Sequence, residues 1–473
     1  MELNQLTIKE AQEGLGKKKF SSVELVRACL AQIKKNDEKI NAFITVCEKE
    51  TLQQAEETDE LISKQETANS QTPLLGIPLG VKDLYLTKGI RSTAGSKVLD
   101  DYVPQYDATA VKRLKEAGAI IIGKTNLDAW AHGSSGENSD YGATRNPWNL
   151  DYVPGGSSSG SAAALAASMC LASTGTDTGG SIRLPASFCN LVGLKPTYGR
   201  VSRYGVVAMA SSLDSIGHFS RCVADAALIL KITAGKDEND AATPEREVPD
   251  YTQVKEGGLK GLKIGIPSEY FGEGLDKRVK RVIEEAIKKM EELGGRFIKI
   301  SLPHTQYALA AYYIIQPSEV SSNLARYDGI RYGFPREKFA DEAKRRIMLG
   351  TFALSAGYYE AYYLKAMKIR TLIKEDFDKA FSKIDVIVAP VSPTPPFKTG
   401  EKTDNPLQMY LSDVLTVTAN LAGIPGLSVP AGFVEELPVG IQFLGPQFSE
   451  GLLFQAGQAY ERATDWQQRR PAL

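Results

Sequence analysis

Three stretches of the chain carry residues whose types and spacing suit carbonyl chemistry. The first is Thr176-Asp177-Thr178-Gly179-Gly180-Ser181. Adjacent glycines leave backbone N–H groups uncovered, so such a turn can aim several donors at one oxyanion, with Ser181 beside it as a nucleophile. The same hexapeptide also suits a phosphate-binding or purely structural turn. The second is Gly155-Gly156-Ser157-Ser158-Ser159-Gly160-Ser161. It is not a Walker A loop, because no Gly-Lys-Ser/Thr follows, and no G-x-S-x-G nucleophile elbow fits it. A flexible loop is its plain alternative. The third is Lys82, which directly follows the apolar run Leu75 to Val81. A lysine at the end of a buried strand loses hydration, its pKa falls, and the neutral amine can accept a proton. A lysine in water does none of this.

The chain has only three histidines, His132, His218 and His304. His132 lies in a loop that could face a cleft, so Ser–His chemistry is permitted but not shown. His218 and His304 sit beside strand or loop signals and read as structural. The five cysteines are scattered with no C-x-x-C pair, which excludes a zinc ribbon or thioredoxin-like motif and suits reduced thiols in a cytosol. No metal site is expected.

Elements must position these groups. Ser21-x-x-Glu24 is a capping-box pattern, and Leu25, Cys29 and Ile33 follow as one apolar stripe. The first 70 or so residues therefore read as an outer helical layer, with a polar helix over 48–68 ended by the Asn69–Pro73 breaker. Leu75–Val81 and Ala119–Ile122 read as strands, and Thr109–Ala117 as a helix. An alanine-rich helix of small residues lies between the two Gly/Ser loops and is expected to be buried. Lys236–Tyr251 reads as a surface connection. Leu262–Ile266 and Phe297–Leu302 read as strands around a charged helix, Leu275–Leu293. Helical patterns fill 305–383. Asp385–Pro390, Gly426–Phe433 and Val439–Gly445 read as strands, and Glu450–Ala463 as a final helix.

With 473 residues, 42% hydrophobic and 24% charged, the chain is globular rather than disordered. A formal charge of −1 argues against strong direct nucleic-acid binding, which needs a basic excess. The N-terminus shows no apolar signal segment, and no uncharged apolar run approaches the ~20 residues of a bilayer span. A cytoplasmic protein with no membrane contact is expected.

Lys82, the GGSSSGSAAA run and GTDTGGSIRLPASFCNLVGLKPTYGRVSR together resemble the amidase signature family, over nearly the whole chain. The resemblance implies an α/β fold, a mixed central β-sheet sandwiched between helical layers. It implies one domain over 1–473: helical layer about 1–70, signature core about 75–235, and a substrate-side helical region with the C-terminal completion of the sheet about 260–473. It implies a Ser–cis-Ser–Lys triad with Ser181 as nucleophile, Ser157 as bridging serine after a cis bond, and Lys82 as base. Thr178, Gly179, Gly180 and Ser181 would form the oxyanion hole.

Three later segments are similar to one branch of that family, the A subunits of glutamyl-tRNA(Gln) amidotransferases. They are Ala311–Ile315 followed by Ser318–Gly329, then Lys344–Phe352, and Met409–Asp413 leading into Ala419–Gly426. By that similarity Arg346 would hold the α-carboxylate of L-glutamine, Asp413 its α-amino group, and Tyr312 would contact it as well. Without the resemblance, Arg346 and Asp413 read more readily as helix-surface charges. The branch implies partners, a B and a C subunit. No cofactor is expected in this chain. ATP and magnesium would be used by the B subunit, which would also make the main contact with misacylated Glu-tRNA(Gln). His132 and Gly136 stand where the family often has methionine and threonine, in a loop expected to line the amide pocket. The 334–343 segment is shorter than the family leads one to expect. The alternatives are a stand-alone amidase acting on small amides and a non-catalytic scaffold subunit. The intact Lys82, Ser157 and Ser181 argue against the second.

Overall fold

The computed structural model describes residues 2–64, 72–253 and 257–473. The expected helix end beyond residue 64 and most of the Asn69–Pro73 breaker lie outside the described residues. Eleven strands form one sheet: β1 (Phe43–Val46), β2 (Pro78–Lys82), β3 (Ile120–Thr125), β4 (Ala172–Asp177), β5 (Val192–Lys195), β6 (Ser215–Ser220), β7 (Lys263–Pro267), β8 (Arg296–Ile300), β9 (Val386–Pro390), β10 (Gly426–Val434) and β11 (Leu437–Leu444). Their spatial order is β1-β3-β2-β4-β6-β5-β10-β11-β9-β7-β8. The sheet is mixed. β2 runs parallel to β3 and β4, and β7 to β8 and β9, while the pairs in the centre and at β1 are antiparallel.

Helices α1 (Ile8–Gly16), α2 (Ser22–Ile40), α3 (Glu48–Ser63), α4 (Thr109–Glu116), α5 (Ser159–Ala166), α6 (Arg183–Phe188) and α7 (Val223–Thr233) accompany the first six strands. The rest are α8 (Lys277–Glu292), α9 (Ala308–Asn323), α10 (Asp341–Ala353), α11 (Lys365–Phe381), α12 (Pro406–Tyr410), α13 (Val417–Ala422) and α14 (Glu450–Arg462). Neighbouring strand residues reach opposite faces, as the period of two demands. Ile121 packs in a cluster with Leu230 of α7 and Ile283 of α8, whereas Ile122 packs with Leu25 and Cys29 of α2 and the alanines of α5. On β9, Val386 and Val388 join the first cluster, and Ile387 and Ala389 join a third with α9, α11 and α13. Helices therefore cover both faces.

Local chemistry explains the elements closest to the site. α1 and α2 each start with a full capping box, Thr7 with Glu10 and Ser21 with Glu24. α5 is buried along its whole length. Its Gly160 sits against the backbone of Ala42 and Asn126, where any Cβ would collide. Small side chains are what allow this helix to lie so close to β2 and β4. Among the described residues, no helix is long and apolar enough to cross a membrane.

The structure corrects the sequence reading in two places. The first 70 residues are not helical throughout, since Phe43–Val46 forms β1, antiparallel to β3. Its Ile-Thr-Val run is β-branched, which favours a strand over continuation of α2. The signature core also holds three further strands, β4, β5 and β6. β4 is Ala-Ser-Thr-Gly-Thr-Asp, buried at every position, so it shows neither alternation nor a bulky apolar run.

Candidate active site

Lys82 is the last residue of β2 and Thr176 lies near the end of β4, its parallel neighbour. Ser157 and Ser158 precede α5. These elements bring four side chains to one point. Lys82 Nζ contacts Ser157 Oγ at 2.9 Å, Ser158 Oγ at 2.9 Å and Thr176 Oγ1 at 2.7 Å. All four residues are buried. Burial pushes the Lys82 amine down to about 7, against the pull of Asp128, Asp214 and Asp177, so a neutral amine is accessible near neutral pH.

The hydroxyl protons decide which way this network points. Ser158 Oγ donates to the Thr176 carbonyl at 3.2 Å, so its proton is already committed. A neutral amine has two donors and one acceptor position. Against three hydroxyls, that acceptor position falls to Ser157 or Thr176. With Ser157 as donor, its own oxygen is free to take a proton in turn. The Gly156–Ser157 peptide bond is cis.

Ser181 lies in the turn from β4 to α6, a strand–turn–helix context that the sequence reading did not see. Its side chain is 9% exposed and makes no hydrogen bond among the described residues. Its carbonyl accepts from Ser158 N at 3.3 Å, which ties the two serine loops together. The structure thus joins Lys82 to Ser157 directly and sets Ser181 on the adjoining turn. None of the backbone N–H groups of Thr178, Gly179, Gly180 and Ser181 donates a hydrogen bond within the described residues. Free backbone donors beside a serine are what an oxyanion requires.

That turn is held from several sides. The Thr178 hydroxyl donates to Asp214 Oδ1 at 2.7 Å, and Thr416 Oγ1 donates to the Gly179 carbonyl at 2.6 Å. Asp177 accepts from the backbone of Ile182 and Arg183 and pairs with the Arg183 guanidinium at 3.1 Å, both side chains fully buried. A Cβ on Gly179 would lie 2.7 Å from the Tyr312 hydroxyl, and one on Gly180 (φ +143°) would strike Thr416 Oγ1. Only glycine fits at either position.

Tyr312 on α9 therefore caps the turn, and the same helix reaches the charged end of the site. Tyr313 donates to Asp413 Oδ2 at 2.8 Å, and Ser134 Oγ approaches both Asp413 oxygens at 2.8 Å. Burial pushes the Asp413 carboxyl up to about 6, against these two hydroxyls and Arg346. Arg346 on α10 is 3% exposed. Its guanidinium lies over the Tyr313 ring (4.8 Å) and the Tyr410 ring (5.0 Å), which stack on each other at 3.8 Å. Its Nε donates to Glu342 at 2.7 Å and its Nη1 to Gln316 at 2.6 Å. The reading of Arg346 and Asp413 as surface charges does not hold, since both are buried. A cavity of about 220 Å³ opens beside Arg346, walled by Ser134, Ser135, Glu342 and Tyr410.

His132 does not face the cleft. It is fully buried, and burial, then the charge of Arg346, drives its pKa well down. Gly133 and Ser134, just after it, line the cavity instead. His218 contacts the Ala226 carbonyl at 2.9 Å and His304 pairs with Asp376 at 3.0 Å, and neither ring bonds to Lys82 or Ser181. The 334–343 segment leans on the signature core, with Phe334 N donating to the Val98 carbonyl and the Phe339 ring 5.3 Å from Trp130. Among the described residues, no group of three or more His, Cys, Asp or Glu side chains could hold a metal.

Sequence reasoning missed Ser158, Thr176, Ser134, Tyr313, Thr416 and Asp128. Asp128 is the hinge of the loops. Its carboxylate accepts from Gly136 N and Asn138 N, and its own N–H donates to the Ser157 carbonyl at 3.1 Å. Ser158 and Thr176 stood inside the motifs already singled out. The others make contacts across 100 or more residues of sequence or through backbone, which no local pattern signals.

Known proteins resemble this chain over its whole length. The family described as Amidase matches residues 24–454. The chain belongs to the amidase family. It is 54% identical, over 100% of both chains, to the glutamyl-tRNA(Gln) amidotransferase A subunit of Carboxydothermus hydrogenoformans. The crystal structure of the Thermotoga maritima glutamyl-tRNA(Gln) amidotransferase A subunit superposes with a TM-score of 0.81 at 43% identity, covering 98% of this chain and 95% of that one. The peptide amidase of Stenotrophomonas maltophilia superposes with a TM-score of 0.83 at 32% identity, covering 98% of both chains.

Proposed function

We propose that this chain, read as one amidase domain, is the glutamine-hydrolysing subunit of a glutamyl-tRNA(Gln) amidotransferase. The observation that carries the reading is the joining of two devices by α9. Tyr312 touches the oxyanion turn, while Tyr313 and Gln316 hold Asp413 and Arg346. A fixed anion and a fixed cation suit the ammonium and carboxylate of an amino acid whose side-chain amide reaches Ser181. The full-length likeness to glutamyl-tRNA(Gln) amidotransferase A subunits supports the same reading.

The reaction follows from the groups present. Ser181 Oγ attacks the γ-carbonyl carbon of glutamine. Its proton passes to Ser157 Oγ, whose own proton passes to Lys82 Nζ. The oxyanion is held by the N–H groups of Thr178 to Ser181, each such donor being worth about 2.7–4 kcal/mol of barrier. The intermediate collapses, the C–N bond breaks, and the proton returns through Ser157 to the leaving nitrogen, which departs as ammonia. A γ-glutamyl ester on Ser181 remains, and water hydrolyses it to glutamate by the same relay. The ammonia would pass to a B subunit that uses ATP and magnesium to activate glutamate on misacylated Glu-tRNA(Gln). A small C subunit would join the two, in the cytoplasm.

The test is ammonia release from L-glutamine by the chain alone, then with B and C subunits, ATP and Glu-tRNA(Gln). Release that rises with the partners is expected. Partner-independent release from simple amides, with no response to glutamine, would favour a stand-alone amidase.

A further inference from the structure

The end of the site that holds Arg346 contains donors with nothing to donate to. Gln316 lies on α9, one turn beyond Tyr312, and is fully buried. Its Oε1 accepts from Arg346 Nη1 at 2.6 Å. A guanidinium has donors only, so this contact fixes the amide with its oxygen toward Arg346 and its nitrogen away from that bond. The Nε2 has no hydrogen-bond partner among the described residues. Arg346 shows the same imbalance. Glu342 takes its Nε and Gln316 its Nη1, while Nη2 finds no partner among the described residues. Ser135 Oγ, in the same cavity wall as Arg346, is also buried and unpartnered. A buried donor without an acceptor is costly to keep, so an excess of them around one cation points to an anion that completes the set.

We propose that Gln316 is a specificity-determining residue, whose amide N–H joins Arg346 Nη2 in a mixed clamp on the carboxylate of the amide substrate. The clamp selects amides that carry a carboxylate over neutral ones. This rests on the glutamine reading given above and refines it. A glutamine side chain extends what the arginine offers, because its donor lies beside the guanidinium without adding charge. It is held in that orientation before substrate arrives, so binding does not have to order it. A purely anchoring role, with Gln316 serving only to steady Arg346, makes a different forecast. It would let Gln316→Glu, which still accepts from Arg346 Nη1, bind L-glutamine no worse than Gln316→Leu does.

The experiment measures binding by calorimetry to the full chain carrying Ser181→Ala, with and without a second change at Gln316. The probes are L-glutamine and L-glutaminamide, which replaces the carboxylate by a neutral carboxamide. Gln316→Leu should weaken L-glutamine by about tenfold or more, the scale of a hydrogen bond to a charged group, and leave L-glutaminamide within about twofold. Gln316→Glu keeps the polar shape but sets a carboxylate against Arg346. It should weaken L-glutamine by about a hundredfold and leave L-glutaminamide unharmed. Thermal melts report whether each variant is folded, and if the leucine variant is not, the glutamate variant decides. Equal losses on both probes, or unchanged L-glutamine affinity, would overturn the clamp. Ammonia release by the unsubstituted chain is measured alongside. If glutamine yields none, the glutamine reading fails and takes this inference with it. If release is intact, a failed clamp stands alone.

Discussion

The two ends of the site are built differently. At the relay end, Lys82, Ser158 and Thr176 stand on or against buried strands, and Lys82 contacts three hydroxyls within 2.9 Å. At the recognition end, Arg346 and Gln316 stand on helices, and Gln316 keeps an unpartnered donor. The relay contacts are already made as far as Ser157, while the recognition end has donors to spare for a charged ligand. Around it the surface also changes. α10 exposes Met348, Leu349 and Phe352, whereas β2, β4 and α5 expose nothing large. The difference teaches that a lysine–serine network can be assembled in advance on a sheet while helices hold donors in reserve, as the proposed clamp requires.

That contrast breaks most sharply at the nucleophile. Ser181→Ala should lower glutamine-driven ammonia release by about a thousandfold or more, since no other group takes over the ester. tRNA amidation from added ammonium by the assembled complex should persist. Loss of both activities would show that the two ends are not separable.

Arg346→Met should act on the other side of the comparison. It removes the cation, while Glu342 keeps its ion pair with Arg345 and its hydrogen bond from Tyr410. The KM for glutamine should rise about a hundredfold, with kcat changed far less. A kcat collapse at unchanged KM, read from steady-state ammonia release, would place Arg346 with the relay instead.

pH separates the two ends without mutation. Lys82 is the proposed neutral base and burial lowers its pKa to about 7, so kcat should climb as pH rises through about 7 and fall about tenfold per unit below it. Asp413 must be ionised to hold an ammonium, and its pKa lies at about 6. KM should therefore rise as pH falls through about 6. One shared limb for both constants, in a profile over about pH 5–9, would contradict separate control.

The smallest expected effect sharpens the picture. Tyr313→Phe deletes the hydroxyl that donates to Asp413 but keeps the ring under Arg346. A single hydrogen bond to a charged group predicts a KM increase of about five- to tenfold, read from the same assay. An unchanged KM would assign Tyr313 to packing alone.

Much of this arrangement was legible in the residues themselves. Lys82 after an apolar run, two glycines before Ser181, and a helix of small residues after Ser157 all state local chemistry. The apolar runs of β2, β3, β9, β10 and β11 were visible for the same reason, since a strand buried on both faces is a near-continuous apolar run. β4 was not, because its buried residues are small and polar and form the site itself. Asp128 and Thr416 were not legible either. They act through backbone groups of Ser157, Gly136 and Gly179, and backbone partners leave no trace in residue type. Nothing in the type or spacing of Gln316 singles it out in the sequence. Only its contact with Arg346 fixes which way its amide points.

The most direct measurement is mass spectrometry of the chain quenched during turnover with L-glutamine. A γ-glutamyl ester should appear on the peptide holding Ser181, and should be lost in Ser181→Ala and scarcely form in Lys82→Met. Ammonia release that survives Ser181→Ala, or an adduct on another side chain, would contradict the relay from Lys82 through Ser157 to Ser181.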